Sequence, residues 1–210
     1  MLRRSVGSPY MDSSFDGLRQ YLSDVSGLPV PWYVAGGWGI DLFVDRVSRE
    51  HSDVDLVIAR SDQRAAYKQL GDRTWSLIVP HPEGLTGQGT IEPWDGEPLG
   101  RSTHQILADD AGGSRIEFLL SEIDEGVWSS RRDPEVTMPA STMALTSSDG
   151  IPYMAPEIIL LYKAKHMREW DEADFETALP ELYLGQRHWL FHALEQTYPG
   201  HPWMARLGVT

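Results

Sequence analysis

Apolar residues recur at helical spacing from Phe15 through Leu18 and Leu22 to Val25, which predicts a first helix over residues 15–26. Pro29 and Pro31 end it. Beyond them "PWYVAGG" reads as a short strand running into a turn, "GIDLFVDRV" as a short helix and "DVDLVIA" as a strand. The next stretch, "SDQRAAYKQLG", predicts a helix with Ser61 as its N-cap and Gly71 as its stop. "TWSLIV" predicts a further strand, and the Gly- and Pro-rich "HPEGLTGQGTIEPWDGEPLG" a long loop or an irregular hairpin. In "THQILADDAGGSRIEFLLSE" two alternating apolar runs flank Asp-Asp-Ala-Gly-Gly, the pattern of a hairpin.

Between Asp133 and Ala155 the pattern breaks up around Pro134, Pro139 and Pro152 and the polar tract "TSSDG". A boundary there divides a core domain over residues 1–135 from a helical region over 150–210. "PEIILLYKAKHMREW" begins with proline at a first helical position, and "DEADFETALPEL" opens with acids suited to a helix N-terminus. "QRHWLFHALEQTY" sets Trp189, His192 or Ala193, and Gln196 at helical steps. The chain therefore reads as an α+β protein.

Composition narrows the chemistry. The 210 residues suit one compact domain or a core with a small appendage, and the absence of cysteine excludes disulfides, thiolate metal sites and a Cys nucleophile. Any metal would be held by oxygen or imidazole. The basic start lacks a following apolar run, and no stretch is apolar for long enough to span a bilayer, so a cytoplasmic location without a membrane partner is expected. Acidic residues outnumber basic ones 31 to 18, a net charge of −13. Such a field repels nucleic acid, and the largest basic groups are Arg131–Arg132 and the spaced Lys163, Lys165 and Arg168. It would attract a small cationic substrate, or simply keep the chain soluble. Nothing in the sequence sets an oligomeric state.

The candidate chemistry concentrates in "VAGGWGIDLFVDRVSREHSDVDLVIA". Asp53 and Asp55 point to one face of a predicted strand, with Cβ atoms roughly 6–7 Å apart, and a divalent ion between them would relieve their repulsion. An isolated Asp-x-Asp is more simply two solvated acids. Gly36 and Gly37, however, sit between a predicted strand and a helix beginning near Trp38, where free backbone N–H groups cradle phosphate oxygens. A phosphate cradle followed by paired aspartates is what metal-dependent nucleotide chemistry requires.

At "GGWGID" and "REHSDVDL" the sequence resembles the nucleotidyltransferase superfamily that includes DNA polymerase β, and within it the small antibiotic nucleotidyltransferases that modify aminoglycosides and lincosamides. The resemblance implies a mixed β-sheet flanked by helices with a C-terminal helical region. It implies Mg²⁺ and a nucleoside triphosphate, ATP, as cofactors. Gly36 and Gly37 take the triphosphate-binding role and Asp53 and Asp55 the metal-ligand role. Trp38 follows the glycines, so the hydroxyl that Gly-Ser members offer to phosphate is missing.

The family pattern also needs a third carboxylate on an adjacent strand. In "SRIEFLLSE", Glu117 interrupts an apolar run and would be costly to bury without a partner, although strand alternation alone also places a polar residue there. Glu122, Glu92 and Asp95 are further candidates, and the loop carrying the last two could line an acceptor site. In "YKAKHMREWDEADF", Lys163, or next Lys165, would reach the triphosphate, while Asp171 and Asp174 cap or brace the following helix. Arg49 and His51 would assist phosphate binding or support the site from behind, with a packed or hydrogen-bonded loop role the plainer one for His51. Asp53, Asp55 and Glu117 are thus expected to hold metal, with Glu117 also the base. The expected reaction moves a nucleoside monophosphate onto a hydroxyl of a small, cationic acceptor such as an aminoglycoside or lincosamide. The alternatives are a toxin-like enzyme modifying tRNA or protein, and a nucleotide-binding module without chemistry.

Overall fold

The computed structural model describes residues 15–80 and 89–209. The chain opens with helix α1 (Asp16–Ser23), strand β1 (Trp32–Val34), helix α2 (Gly36–Phe43) and strand β2 (Val54–Ala59). Helix α3 (Gln63–Gln69) leads to strands β3 (Thr74–Val79) and β4 (Thr90–Pro93), then to the long hairpin of β5 (Gln105–Asp109) and β6 (Arg115–Asp124). Four short strands follow: β7 (Val127–Ser129), β8 (Thr137–Pro139), β9 (Ala144–Thr146) and β10 (Pro152–Met154). The remainder is helical, with α4 (Pro156–Lys163), α5 (Glu169–Ala178), α6 (Leu184–Thr197) and the short α7 (Trp203–Arg206).

These strands form one mixed sheet in the order β4-β3-β5-β6-β2-β1-β10-β9, with β7 and β8 continuing from β6. The pairs β2–β6 and β1–β10 are parallel and the others antiparallel. Strand alternation assigns the two faces. Val54, Leu56 and Ile58 of β2 and Ile116, Phe118 and Leu120 of β6 enter one core with Trp38, Trp75 and Trp94. Val57 and Leu119 turn to the opposite face and pack beneath α4, whose Ile158, Leu160 and Leu161 are almost wholly buried. Asp55 and Glu117 share that second face. They stand opposite each other in the β2–β6 register, where the apolar cover gives way to polar side chains.

Several boundaries differ from the sequence expectation. Helix α2 begins at Gly36, two residues before Trp38, so both glycines lie within its first turn. Ser61 does not cap α3; a 3-10 turn over Arg60–Asp62 comes first, fixed by Arg60 through Glu122 and the carbonyls of Gly100 and Thr103. The Gly- and Pro-rich stretch after β3 contains β4 paired antiparallel to β3, while residues 81–88 lie outside the described residues. Helix α4 ends at Lys163, and after a break that includes Met167 at φ 46° the following helix starts at Glu169. In α6 the buried face is Gln186, Leu190, Ala193 and Leu194, one step away from Trp189. Among the described residues no helix is long and apolar enough to cross a membrane.

Candidate active site

Asp53, Asp55 and Glu117 line one open polar cleft of about 750 Å³, together with Gly37 and Lys163. Gly36 lines the cavity that adjoins it. The six residues singled out from sequence are therefore gathered at one place by the β1–α2 junction, the parallel β2–β6 pair and the end of α4. Asp53 is exposed just ahead of β2, whereas Asp55 and Glu117 are half-buried. Burial, together with repulsion from Asp53, raises the Asp55 carboxyl to about 6 against the pull of Lys163, Arg168 and Arg49. Burial, together with Asp55 and Asp53, raises Glu117 to about 8. Among the described residues no set of three His, Asp or Glu side chains is drawn together as a ready-made metal cage. The donors are nevertheless hard oxygens in mutual repulsion, the environment that a small divalent cation would relieve.

The glycines are fixed by space. Gly36 adopts φ 60°, and a Cβ there would overlap the Asp55 Oδ2 atom. A Cβ on Gly37 would overlap the Arg49 guanidinium and the His51 ring. Only glycine lets the start of α2 sit this close to a carboxylate on one side and to the Arg49 guanidinium and the His51 ring on the other. The first-turn amides of α2 have no partner within the helix, and Gly37 and Trp38 line the cleft.

Behind this surface lie contacts the sequence did not reveal. His51 stacks on Trp38 with ring centroids 4.3 Å apart and shares a 2.6 Å hydrogen bond between its Nε2 and Asp41 Oδ2. Asp41 is wholly buried and also accepts from the backbone N–H of Ser48 at 3.1 Å. The one available signal was an acid inside the apolar "GIDLF" helix. Arg49 donates to both oxygens of Asp174, at 2.9 and 3.0 Å, and Lys163 Nζ lies 2.6 Å from the same carboxylate. Burial alone would raise Asp174, but Arg49 and Lys163 hold it below the usual carboxylate range. Asp171 accepts the Arg168 backbone N–H at 3.1 Å and caps α5, as its position suggested. Asp174 instead joins two cations of the cleft.

The other acids considered for the third position lie elsewhere. Glu92 is exposed on the edge strand β4, and Asp95 accepts the backbone N–H of Glu97. Glu122 is 2.7 Å from Arg60.

The adjoining cavity, about 240 Å³, shares Asp55, Gln105 and Lys163 with the cleft but differs in character. Its floor is apolar, from Val57, Leu119, Met154 and Ile159, and its rim carries Arg131, Arg132 and His104. Arg132 donates to the Tyr162 carbonyl and the Tyr198 hydroxyl, and its Nε is buried without a partner. Burial and the neighbouring Arg132 push the Arg131 guanidinium down, and burial with both arginines pushes His104 down to about 4.

A mixed sheet thus sets a glycine-started helix beside facing carboxylates, the arrangement that the resemblance to nucleotidyltransferases implied. The comparisons agree. The family profile described as aminoglycoside-2''-adenylyltransferase matches residues 17–76, a span that includes Gly36, Gly37, Asp53 and Asp55 and stops before Glu117. The crystal structure of the lincosamide antibiotic adenylyltransferase LnuA, lincomycin-bound, superposes with a TM-score of 0.53 at 17% identity, over 79% of this chain and 97% of that one. The solution structure of the antibiotic-resistance factor ANT(2'')-Ia superposes with a TM-score of 0.55 at 14% identity, over 86% of this chain and 90% of that one. The ANT(2'')-Ia complex with adenylyl-2''-tobramycin gives a TM-score of 0.53 at 13% identity, over 85% of this chain and 95% of that one. No curated protein sequence matches the chain. The chain has an α+β fold like that of the small antibiotic nucleotidyltransferases, and over residues 17–76 it resembles the aminoglycoside-2''-adenylyltransferase family in sequence.

Proposed function

We propose that the enzyme moves a nucleoside monophosphate, AMP from ATP, onto a hydroxyl of a small acceptor of the aminoglycoside or lincosamide kind. The observation that carries this reading is the facing of Asp55 and Glu117 across the parallel β2–β6 pair, on the same cleft as Asp53 and Gly37 in the first turn of α2. Asp53, Asp55 and Glu117 are the residues that would hold Mg²⁺, which when bound neutralises triphosphate charge and polarises the α-phosphate. The amides of Gly36 and Gly37 hold phosphate oxygens, and Lys163 with Arg49 supplies positive charge from the opposite wall. Glu117 would take the proton from the acceptor hydroxyl as the carboxylate, the form a bound cation favours; without one, burial and the neighbouring acids raise it to about 8. The acceptor oxygen bonds to the α-phosphorus, the bond to the bridging oxygen of the β-phosphate breaks, and pyrophosphate leaves.

The test is pyrophosphate release from each nucleoside triphosphate with Mg²⁺ against a panel of aminoglycosides and lincosamides, with product masses read on the mixture. A product heavier by one nucleoside monophosphate, formed by the wild type and absent with Asp53→Asn, is the expected result. No product, alongside Mg²⁺-dependent ATP binding, would remove these acceptors and turn the search to tRNA and protein.

A further inference from the structure

The three acids of the candidate site are held in two different ways. Asp55 and Glu117 lie within the β2–β6 ladder and face each other through its register. Asp53 stands one residue ahead of that ladder, exposed, and among the described residues no hydrogen bond or salt bridge fixes its carboxylate. Its position is set by the loop of residues 44–53 that joins α2 to β2. That loop is gathered onto one side chain. Asp41, wholly buried in α2 between Ile40 and Leu42, accepts the backbone N–H of Ser48 at 3.1 Å and the Ser48 hydroxyl with Oδ1. Its Oδ2 lies 2.6 Å from His51 Nε2, and its backbone carbonyl accepts the N–H of Arg46 at 3.1 Å. The His51 ring is thereby pressed onto the first turn of α2. It stacks on Trp38, and its Cε1 lies 2.4 Å from where a Cβ on Gly37 would stand. Asp53 follows His51 by two residues.

Stability alone is a weak reason for this arrangement. Well-packed apolar side chains in place of a buried polar or charged pair are often neutral or better for the fold, and the other buried residues of α2 are Trp38, Gly39, Ile40 and Leu42. What a buried, fully bonded acid supplies is a single geometry. Any shift of the loop would strip Asp41 of its partners in a place that water does not reach. Asp41 lines neither cavity, so whatever it does for the site it does through the loop.

We propose that Asp41 is a positioning residue for the transfer: through Ser48 and His51 it fixes the loop so that the Asp53 carboxylate meets the cation that Asp55 and Glu117 also hold. The proposal rests on the transfer reading above, in which Asp53 is a metal ligand. Two of the three acids are then placed by the sheet and the third by a side chain buried in the helix behind it.

The test is calorimetric titration of the full chain with α,β-methylene-ATP, with and without Mn²⁺, the ratio of the two affinities giving the metal's contribution. Mn²⁺ should tighten nucleotide binding to the wild type, and Asp53→Asn should remove most of that gain. Asp41→Ala and His51→Ala should each lower the gain by about tenfold, with a much smaller change in metal-free binding. His51→Gln, whose amide N–H can reach the same carboxylate, should keep most of it. A melting curve for each variant checks the fold, and if Asp41→Ala is unfolded, His51→Ala carries the comparison. An unchanged gain in His51→Ala, an equal loss of nucleotide affinity with and without Mn²⁺, or a His51→Gln variant as impaired as His51→Ala overturns the proposal and leaves the transfer reading standing. No gain in the wild type, or a gain that Asp53→Asn leaves intact, removes Asp53 as a metal ligand, and with it both that reading and the proposal.

Discussion

The two cavities that meet at Asp55 are built on the same sheet face and hold opposite unresolved charges. On one side, acids crowd together until burial and repulsion raise Asp55 and Glu117 toward neutrality. On the other, Arg131 and Arg132 crowd together and Arg131 is pushed down for the same reason. Among the cations of the acidic cleft, Arg49 and Lys163 are already engaged with Asp174 and Arg168 with Asp171, so the two excesses do not cancel. Surfaces that would be more stable with a bound counter-charge mark where ligands act, and here two such surfaces of opposite sign share one wall.

The sharpest way to break this contrast is Asp55→Asn, which alters the shared wall. Turnover should fall by about 10³-fold or more, while the melting temperature of the ligand-free protein rises because a repelled, half-buried charge is gone. Steady-state kinetics and a thermal melt check both, and a variant that kept its turnover would remove Asp55 from the reaction. Next in size, Glu117→Gln should lower kcat by about 10²- to 10⁴-fold with little change in acceptor KM. A pure rise in KM would instead make Glu117 an acceptor contact. The same variant sharpens a pH prediction. A carboxyl raised from 4.5 to about 8 adds stability to the ligand-free fold that is complete below the unfolded value and lost as pH rises through about 8. Denaturation midpoints should fall over that window in the wild type and fall less in Glu117→Gln. The smallest expected change is Gly36→Ala, a loss of about 1–3 kcal/mol from its left-handed backbone, measured by urea unfolding. Weaker nucleotide binding should accompany it, since the new methyl group meets Asp55.

The acidic cleft was legible in the sequence because its parts lie close together. A strand, two glycines, a helix and the next strand occupy one short stretch, and each carries its own local signal. Glu117 was found because a charge inside "RIEFLL" breaks an apolar pattern. The second cavity had no such signature. His104, Arg131 and Tyr162 come from three separate segments and become neighbours only through the sheet order and the packing of α4, neither of which is a property of a short window. The same limit explains Asp174, read as part of its own helix when its principal partner, Arg49, lies 125 residues away. Strands β8 to β10 were hidden for a different reason. Each is three residues long, set among prolines and turns, too short for alternation to show.

That distant pairing also orders events during synthesis. The glycines and all three acids emerge from the ribosome before α4 and α5, so the nascent site exists for a time without Lys163 and without the carboxylate that anchors Arg49. Strand β1 likewise waits for β10 to cover its open edge. The part of the chain that holds the candidate site is made early and completed late, when the last helices arrive.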